Sequence, residues 1–509
     1  MLFPIGLPLG FAGGQALAQE QTFRVVPSIR LTETVSDNVG LSAGGGRQSS
    51  GSGGSESDWI TVLSPSVLME ARGARLQGNL NLGVNSSWYA NDSSRNQNML
   101  SVQGSGKVEA WEKRAFVDLR GSISRELLSV LGPRPADQVT GTSNQAEVRN
   151  FSVSPYLVGR FRDSGTMELR YTSNLTESDN VAVSRSVRQV WSASATDPQV
   201  TGRLGWSFNF SDTQLNTDNA RDTKQQVARF TGLVRLDPQV QLRLIVGSEA
   251  NNLNSIDTRR STVSGIGVDW TPSPITRMAA TWEDRFFGPG YMLSAEHRSA
   301  RSAYRFSFSK DVSSISQSMV GGVTLYDLLM LQYTSAYPDV SVRDAFVRNL
   351  MASQAPGIGN PLVGLQAVLT NGLFLDRRAQ FGMTLSGVRN SVSLTAYRSE
   401  RTSLMDRSYA LTGDFSSGTT VTDLGGGVAV NHKLSPSTTA TLNVNASRSR
   451  NDNTATGTQL DNRTRTFTTG LTTAFSPKLN GSLMLRNNRG SGTTDYKENA
   501  VVGSVSLLF

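Results

Sequence analysis

The 509-residue chain has no cysteine, so it forms no disulfide and no thiolate-metal site, a composition that fits an extracytoplasmic bacterial protein. It has two histidines, His297 and His432, far apart and each within an alternating segment. No HExxH pair and no G-x-S-x-G elbow occurs, so a zinc hydrolase or an esterase of the elbow type finds no footing. "GSGKVE" (104 to 109) lacks the glycine five positions before Gly106 and the hydroxyl residue after Lys107 that a P-loop needs. Neither a catalytic residue nor a cofactor, metal or nucleic acid is expected. No run of 18 or more apolar residues appears, which argues against a membrane-spanning helix. Membrane-spanning strands escape that test, because every second residue faces a polar lumen.

What the chain does contain is alternation. In "LQGNLNLGVN" (76 to 85), Leu76, Leu80, Leu82 and Val84 share one parity and Gln77, Asn79, Asn81 and Asn85 the other. The same period of two recurs in Leu100 and Val102, in Val117, Leu119 and Ile123, and in Leu204, Trp206, Phe208 and Phe210. It returns in Val240 to Val246, Tyr304 to Phe308, Phe381 to Leu385, Leu442 and Val444, and Leu479 to Leu485. The chain is therefore all-β. No repeat of solenoid or propeller length stands out.

Connectors alternate as well. Tight turns such as "RGAR" (72 to 75), "WEKR" (111 to 114), "TDPQ" (196 to 199) and "FSPK" (475 to 478) are separated by longer polar stretches such as 42 to 57, 131 to 145 and 451 to 462. Short turns at one rim and long loops at the other predict a transmembrane up-and-down antiparallel β-barrel with periplasmic turns and extracellular loops. About 22 strands of roughly 9 to 15 residues are expected, with 18 or 20 as alternatives. Aromatics make up only 7% of the chain and the aliphatic faces are thin. Lipid would fill the space that a soluble core must fill with side chains, so Asn79 and Asn81 are expected to face water inside. Trp88, Tyr89, Trp111, Phe286 and Phe287, toward strand ends, are expected in interfacial girdles.

One segment breaks the rhythm. From 312 to 370 the alternation vanishes, and 338 to 357 places Val342, Phe346 and Leu350 at helical spacing, with Ser341 as a candidate cap. A partly helical insertion, a possible gate or plug, is expected there.

The polar parity at mid-strand carries both signs mixed with Ser, Thr, Asn and Gln. It supplies the lumen-facing candidates Arg170, Arg203, Arg243, Arg277, Glu283, Arg285 and Arg305. Of 49 basic residues only seven are lysine, and net charge is +8. That bias reads either as base composition with solvated loops or as contact with anions, in lipopolysaccharide outside or in an acidic polymer within.

Both ends carry signals. "MLFPIGLPLGFAGGQALA" (1 to 18) is apolar and ends in small-x-small before Gln19, which predicts a signal peptide over 1 to 18 and a barrel over 19 to 509. It lacks a basic leading region, so a start downstream of the true one, or an ordinary apolar strand, are the alternatives. "AVVGSVSLLF" alternates to a terminal aromatic, Phe509, the kind of ending by which the barrel-assembly machinery of the bacterial outer membrane recognises its clients.

The stretches "RVVPSIRLTETVSDNVGL" (24 to 41), "LSPSVLMEARGARLQGNLNLGVN" (63 to 85) and "WTPSPITRMAATWEDRFFGPGYMLSAEHRSARSAYRFSFSKD" (270 to 311), with Phe509, resemble the outer-membrane β-barrel family associated with PEP-CTERM/exosortase exopolysaccharide loci. That resemblance implies a channel exporting a secreted polysaccharide, with a periplasmic export protein as partner and outer-membrane lipid and lipopolysaccharide around it. A porin for uptake of small solutes and a structural or glycan-modifying barrel are the alternatives.

Overall fold

The computed structural model describes residues 22–42, 56–137, 142–179, 185–218, 221–314, parts of 329–347, 373–404, 419–453, 458–493 and 495–509. The expected signal peptide, its cleavage point before Gln19, and the candidate cap Ser341 lie outside them.

Twenty-two strands follow one another along the chain. The first eight are β1 (Thr22–Ser36), β2 (Asp58–Arg72), β3 (Leu76–Tyr89), β4 (Gln97–Trp111), β5 (Ala115–Leu127), β6 (Gln145–Phe161), β7 (Gly165–Ser178) and β8 (Arg185–Thr201). Then come β9 (Leu204–Thr217), β10 (Thr223–Arg235), β11 (Val240–Asn251), β12 (Arg259–Ser273), β13 (Thr276–Arg285), β14 (Gly288–Arg298) and β15 (Ser302–Ser314). The last seven are β16 (Leu373–Ser386), β17 (Asn390–Ser403), β18 (Thr419–Lys433), β19 (Thr438–Asn453), β20 (Thr458–Ala474), β21 (Leu479–Gly492) and β22 (Tyr496–Leu508). Each pairs antiparallel with its neighbours in sequence, and β1 pairs with β22 from Ser28 opposite Leu508 to Ser36 opposite Ala500. The sheet is a closed up-and-down barrel of 22 strands, the count expected from the alternation.

Burial runs opposite to that of a water-soluble protein. Leu244, Val246, Ile266, Leu483 and Leu485 are more than half exposed, whereas Glu249, Glu498 and Asn488 are at most 1% exposed. Because successive side chains alternate across a strand, this is a bare apolar outer face around a polar interior. Each such aliphatic is about half exposed, so covering the rest with acyl chains recovers about 1 kcal/mol, roughly half the value of full burial. Among the described residues no helix is long and apolar enough to cross a membrane. The architecture is that of a transmembrane β-barrel of the outer-membrane type.

The connector between β2 and β3, and every second one after it, spans two to four residues. Lys113 and Arg162 both adopt a left-handed φ of 55° within such turns. The opposite rim carries the long connectors, up to the whole of 315–372, although β13 and β14 are joined there by Phe286 and Phe287 alone. Phe23, Trp111, Trp270, Phe475 and Phe509 stand exposed around the short-turn rim, and Trp59 and Trp88 near the other, as interfacial girdles. Tyr89 departs from expectation. It follows Trp88 and so points inward, where it packs with Val39, Ile60 and Val62. Within the insertion, 342–344 is helical and Asp339 Oδ1 accepts from the Val342 amide at 3.1 Å, which caps that turn.

Candidate channel constriction

The lumen wall is lined by charges held in pairs. Arg170 on β7 reaches Asp118 on β5 at 2.9 Å and Glu168 on its own strand at 2.7 Å, and its guanidinium lies 3.7 Å from the centroid of the Tyr156 ring. Arg243 sits 3.0 Å from Asp269, Glu283 3.2 Å from Arg229, and Arg305 2.8 Å from Glu296. Arg285 is the most deeply held: it contacts Glu249 at 2.9 and 3.1 Å and Asp311 at 2.5 Å, and the Glu249 side chain is wholly buried. Arg277 takes the inward parity opposite Glu296 near the short-turn rim and is exposed.

Arg203 is the exception. The β8–β9 turn consumes Gly202 and Arg203 before β9 begins, so Arg203 projects at the short-turn rim instead of lining the wall. The two histidines stand at that rim on the outward face. His297 lies 2.8 Å from Thr276 and beside Tyr304, and His432 lies 2.5 Å from Asn390.

The principal feature of the interior is one that alternation could not indicate. Residues 128–137, the described first part of the connector between β5 and β6, fold inward and dock on the far wall. Val130 and Leu131, with Leu127 at the end of β5, pack against Phe374 of β16 and Val421 of β18, strands on the opposite side of the ring. Beyond this apolar anchor the polar contacts cluster on Arg134. Its Nη2 donates to Ser449 at 2.7 Å and approaches Asp423 at 3.4 Å, and its carbonyl accepts from Asn488 Nδ2 at 2.9 Å and from the Tyr496 hydroxyl at 3.2 Å. Asn462 donates to the Gly132 carbonyl at 3.2 Å, and Asp137 pairs with Arg486, which also holds Glu498 at 2.6 Å. Asp423, Ser449, Asn462 and Asn488 each lie four residues in from the long-loop end of their strands. At about 3.3 Å per residue the docking site is roughly 13 Å down the strands, inside the barrel.

Local structure fixes the loop's shape. Asn144 accepts from the Ser129 amide at 2.9 Å and donates to the carbonyls of Ser129 at 2.9 Å and Pro133 at 3.0 Å, clamping the two arms together. Gly132 lies against that side chain, where any Cβ would come within 2.4 Å of it. On the wall, the rings of Tyr397 and Tyr496 lie over Gly425 and Gly490, their partners in register, and the bare glycines let both rings flatten beside Arg134. Burial works against the charge on Arg134, and Asp423, with Tyr397 and Tyr496 beside it, outweighs that, so the guanidinium is held above its ordinary pKa. Arg401, also buried, shares Asp423 at 3.4 Å.

The arrangement is a polar lumen, lined by ion pairs and hydroxyls and crossed by a loop latched to the opposite wall. It brings Arg134 and Asp137, absent from the expected set, into the centre of the site. The cue in the sequence is the apolar start of the connector, Leu128, Val130 and Leu131, which needs cover that an outer loop in water does not supply.

No known family model matches the chain, and no curated protein matches it either. Among solved structures it is similar to the siderophore receptor PirA from Pseudomonas aeruginosa, at 10% identity over 96% of this chain and 81% of that one, with a TM-score of 0.41. OccK5 (OpdH) of the same organism matches at 9% identity over 96% of this chain and 98% of its own, with a TM-score of 0.34. The FrpB iron transporter from Neisseria meningitidis matches at 8% identity over 95% and 81%, with a TM-score of 0.46. Likenesses this remote carry nothing about cargo or direction.

Proposed function

We propose that the protein is an outer-membrane channel through which a secreted polysaccharide leaves the cell, in partnership with a periplasmic export protein and without catalytic activity of its own. The observation that supports this most is the lumen wall. Its cations are matched to carboxylates at Arg170, Arg243, Arg285 and Arg305, so the surface offers many weak polar contacts and no single strong field. A hydroxyl-rich polymer moves along such a surface by exchanging one modest hydrogen bond for another, whereas a tight site would stall it. Near the short-turn rim, Phe116 and Tyr156 stack at 5.2 Å with Lys107 over the Phe116 ring, and such aromatic faces suit the apolar faces of sugar rings. The resemblance to barrels of exopolysaccharide loci points the same way.

The test is deletion of the gene in its host, followed by measurement of extracellular polymer and polymer retained in the periplasm. Loss of the first with gain of the second is the expected result; unchanged secretion overturns the reading. The inward-folded loop also favours a second reading, a porin for small solutes. Swelling of liposomes carrying the barrel in monosaccharide solutions, with polymer secretion unchanged in the deletion strain, would select it.

A further inference from the structure

The outward face of β19 to β22 carries a cationic cluster for which the channel has no use. On this face Leu485 and Val501 stand opposite each other, and Phe467, one row further out and opposite Asn487, is the last exposed apolar residue before the long-loop rim. Asn487 and Asn499 stand opposite each other in that same row, and beyond it Arg465, Arg489 and Lys497 stand directly opposite one another on three successive strands. All three are exposed, and none has an ion-pair partner among the described residues. Directly facing like charges destabilise a sheet. The adjoining outer row shows how the chain resolves the same problem elsewhere. Arg448 and Arg463 also face each other, but Asp461 lies between them, 2.6 Å from Arg448 and 3.5 Å from Arg463. Other outward arginines likewise stand beside carboxylates, as Arg149 does with Glu147 at 2.6 Å and Arg377 with Glu400 at 3.2 Å.

Depth narrows the identity of the missing anion. Two residues advance a strand by about 6.6 Å, so the cationic row lies roughly 13 Å along the strand beyond Leu485 and Val501, or about 9 Å above them once a tilt near 45° is allowed. The head-group layer extends about 5–8 Å beyond the hydrocarbon on each side of a bilayer. The order apolar, amide, cation therefore follows the order acyl chain, interface, phosphate. Arginine presents paired donors matched to phosphate oxygens, and two of the three cations are arginine.

We propose that Arg465, Arg489 and Lys497 form a binding site for the phosphate groups of a phosphorylated glycolipid in the outer leaflet, with Phe467, Leu485 and Val501 receiving its acyl chains. The bound phosphate does between these cations what Asp461 does between Arg448 and Arg463. The channel function neither requires this site nor is required by it.

The experiment compares wild-type barrel with the variant Arg465→Gln, Arg489→Gln, Lys497→Gln, both folded in detergent and checked by heat-modifiable gel mobility. Each is incubated with lipopolysaccharide or with its enzymatically dephosphorylated form, and bound glycolipid is counted by native mass spectrometry. Wild type is expected to retain the phosphorylated form and to lose most of it on dephosphorylation. The variant should bind it at least about tenfold more weakly, the equivalent of one charge-assisted contact. A second variant, Arg149→Gln, removes an outward arginine that already has a partner and should bind as wild type does. Equal binding of the two lipid forms, or equal binding by wild type and the triple variant, overturns the proposal. If the triple variant fails to fold, the dephosphorylation comparison on wild type decides alone.

Discussion

Asn488 donates through Nδ2 to the carbonyl oxygen of Arg134 at 2.9 Å, joining residues 354 positions apart in sequence. The bond ties a loop that leaves the barrel between β5 and β6 to the inner surface of β21, and so makes the width of the lumen depend on a small set of polar contacts.

Arg134→Ala, and more strongly Arg134→Ala with Asn488→Ala, is expected to raise mean single-channel conductance in planar bilayers. The docked loop loses contacts worth about 0.5–1.5 kcal/mol each, more where charge takes part. The barrel itself should survive, because Asp423 keeps Arg401 as a partner. Unchanged conductance in the double variant would place the narrowest point elsewhere, with the 315–372 insertion the next segment to delete.

The outward face can be tested with one charge. Leu244 is 56% exposed at mid-strand on β11. Leu244→Arg should cost about 2–4 kcal/mol of stability in a bilayer, read as a lower urea midpoint for unfolding from lipid vesicles. Arg243→Gln next to it faces the lumen and should shift the midpoint far less.

Glu249 and Arg285 are both nearly inaccessible to solvent. Glu249→Ala strands the guanidinium with Asp311 alone and should destabilise the barrel by about 3–5 kcal/mol in the same assay. Replacing the pair together with Glu249→Leu and Arg285→Met should restore most of that loss, which separates the penalty of an orphaned charge from the worth of the pair.

The terminal aromatic has two positions to account for: its ring stands 63% exposed at the short-turn rim, and its amide donates to the Pro27 carbonyl at 3.0 Å. Deleting Phe509 removes the ring and leaves nine register pairs between β1 and β22 intact. Assembly in cells should therefore fall while refolding of the purified chain into detergent micelles does not, as compared by the heat-modifiable fraction in each.

What could be read from the sequence divides along a physical line. Strand number, rim assignment and lumen parity follow from alternation, which is local, so Leu242 and Leu244 against Arg243 suffice to orient β11. Arg203 falls in the turn and not on the wall because parity carries no information about where a turn begins, and Gly202 decides that. Tyr89 shares a strand end with Trp88 but not a face, because adjacent strand positions face opposite ways. Arg134 stayed hidden for a different reason: its partners Ser449, Asn488 and Tyr496 meet it only after the ring has closed, and no periodicity links position 134 to any of them. The gating role expected of 312 to 370 rested on broken rhythm alone, and most of that segment lies outside the described residues.

Closure of β1 against β22 also sets a schedule. Ser28 cannot meet Leu508 until the whole chain has been made and delivered, so the hydrogen bonds that seal the cylinder are the last available and have the longest sequence separation in it. Until then the growing sheet carries two open edges with unpaired amides and carbonyls, one of them always β1, ready to pair with any other strand. The edge of β1 that faces β22 is thus the one edge of the sheet that pairing between neighbours in sequence cannot cover.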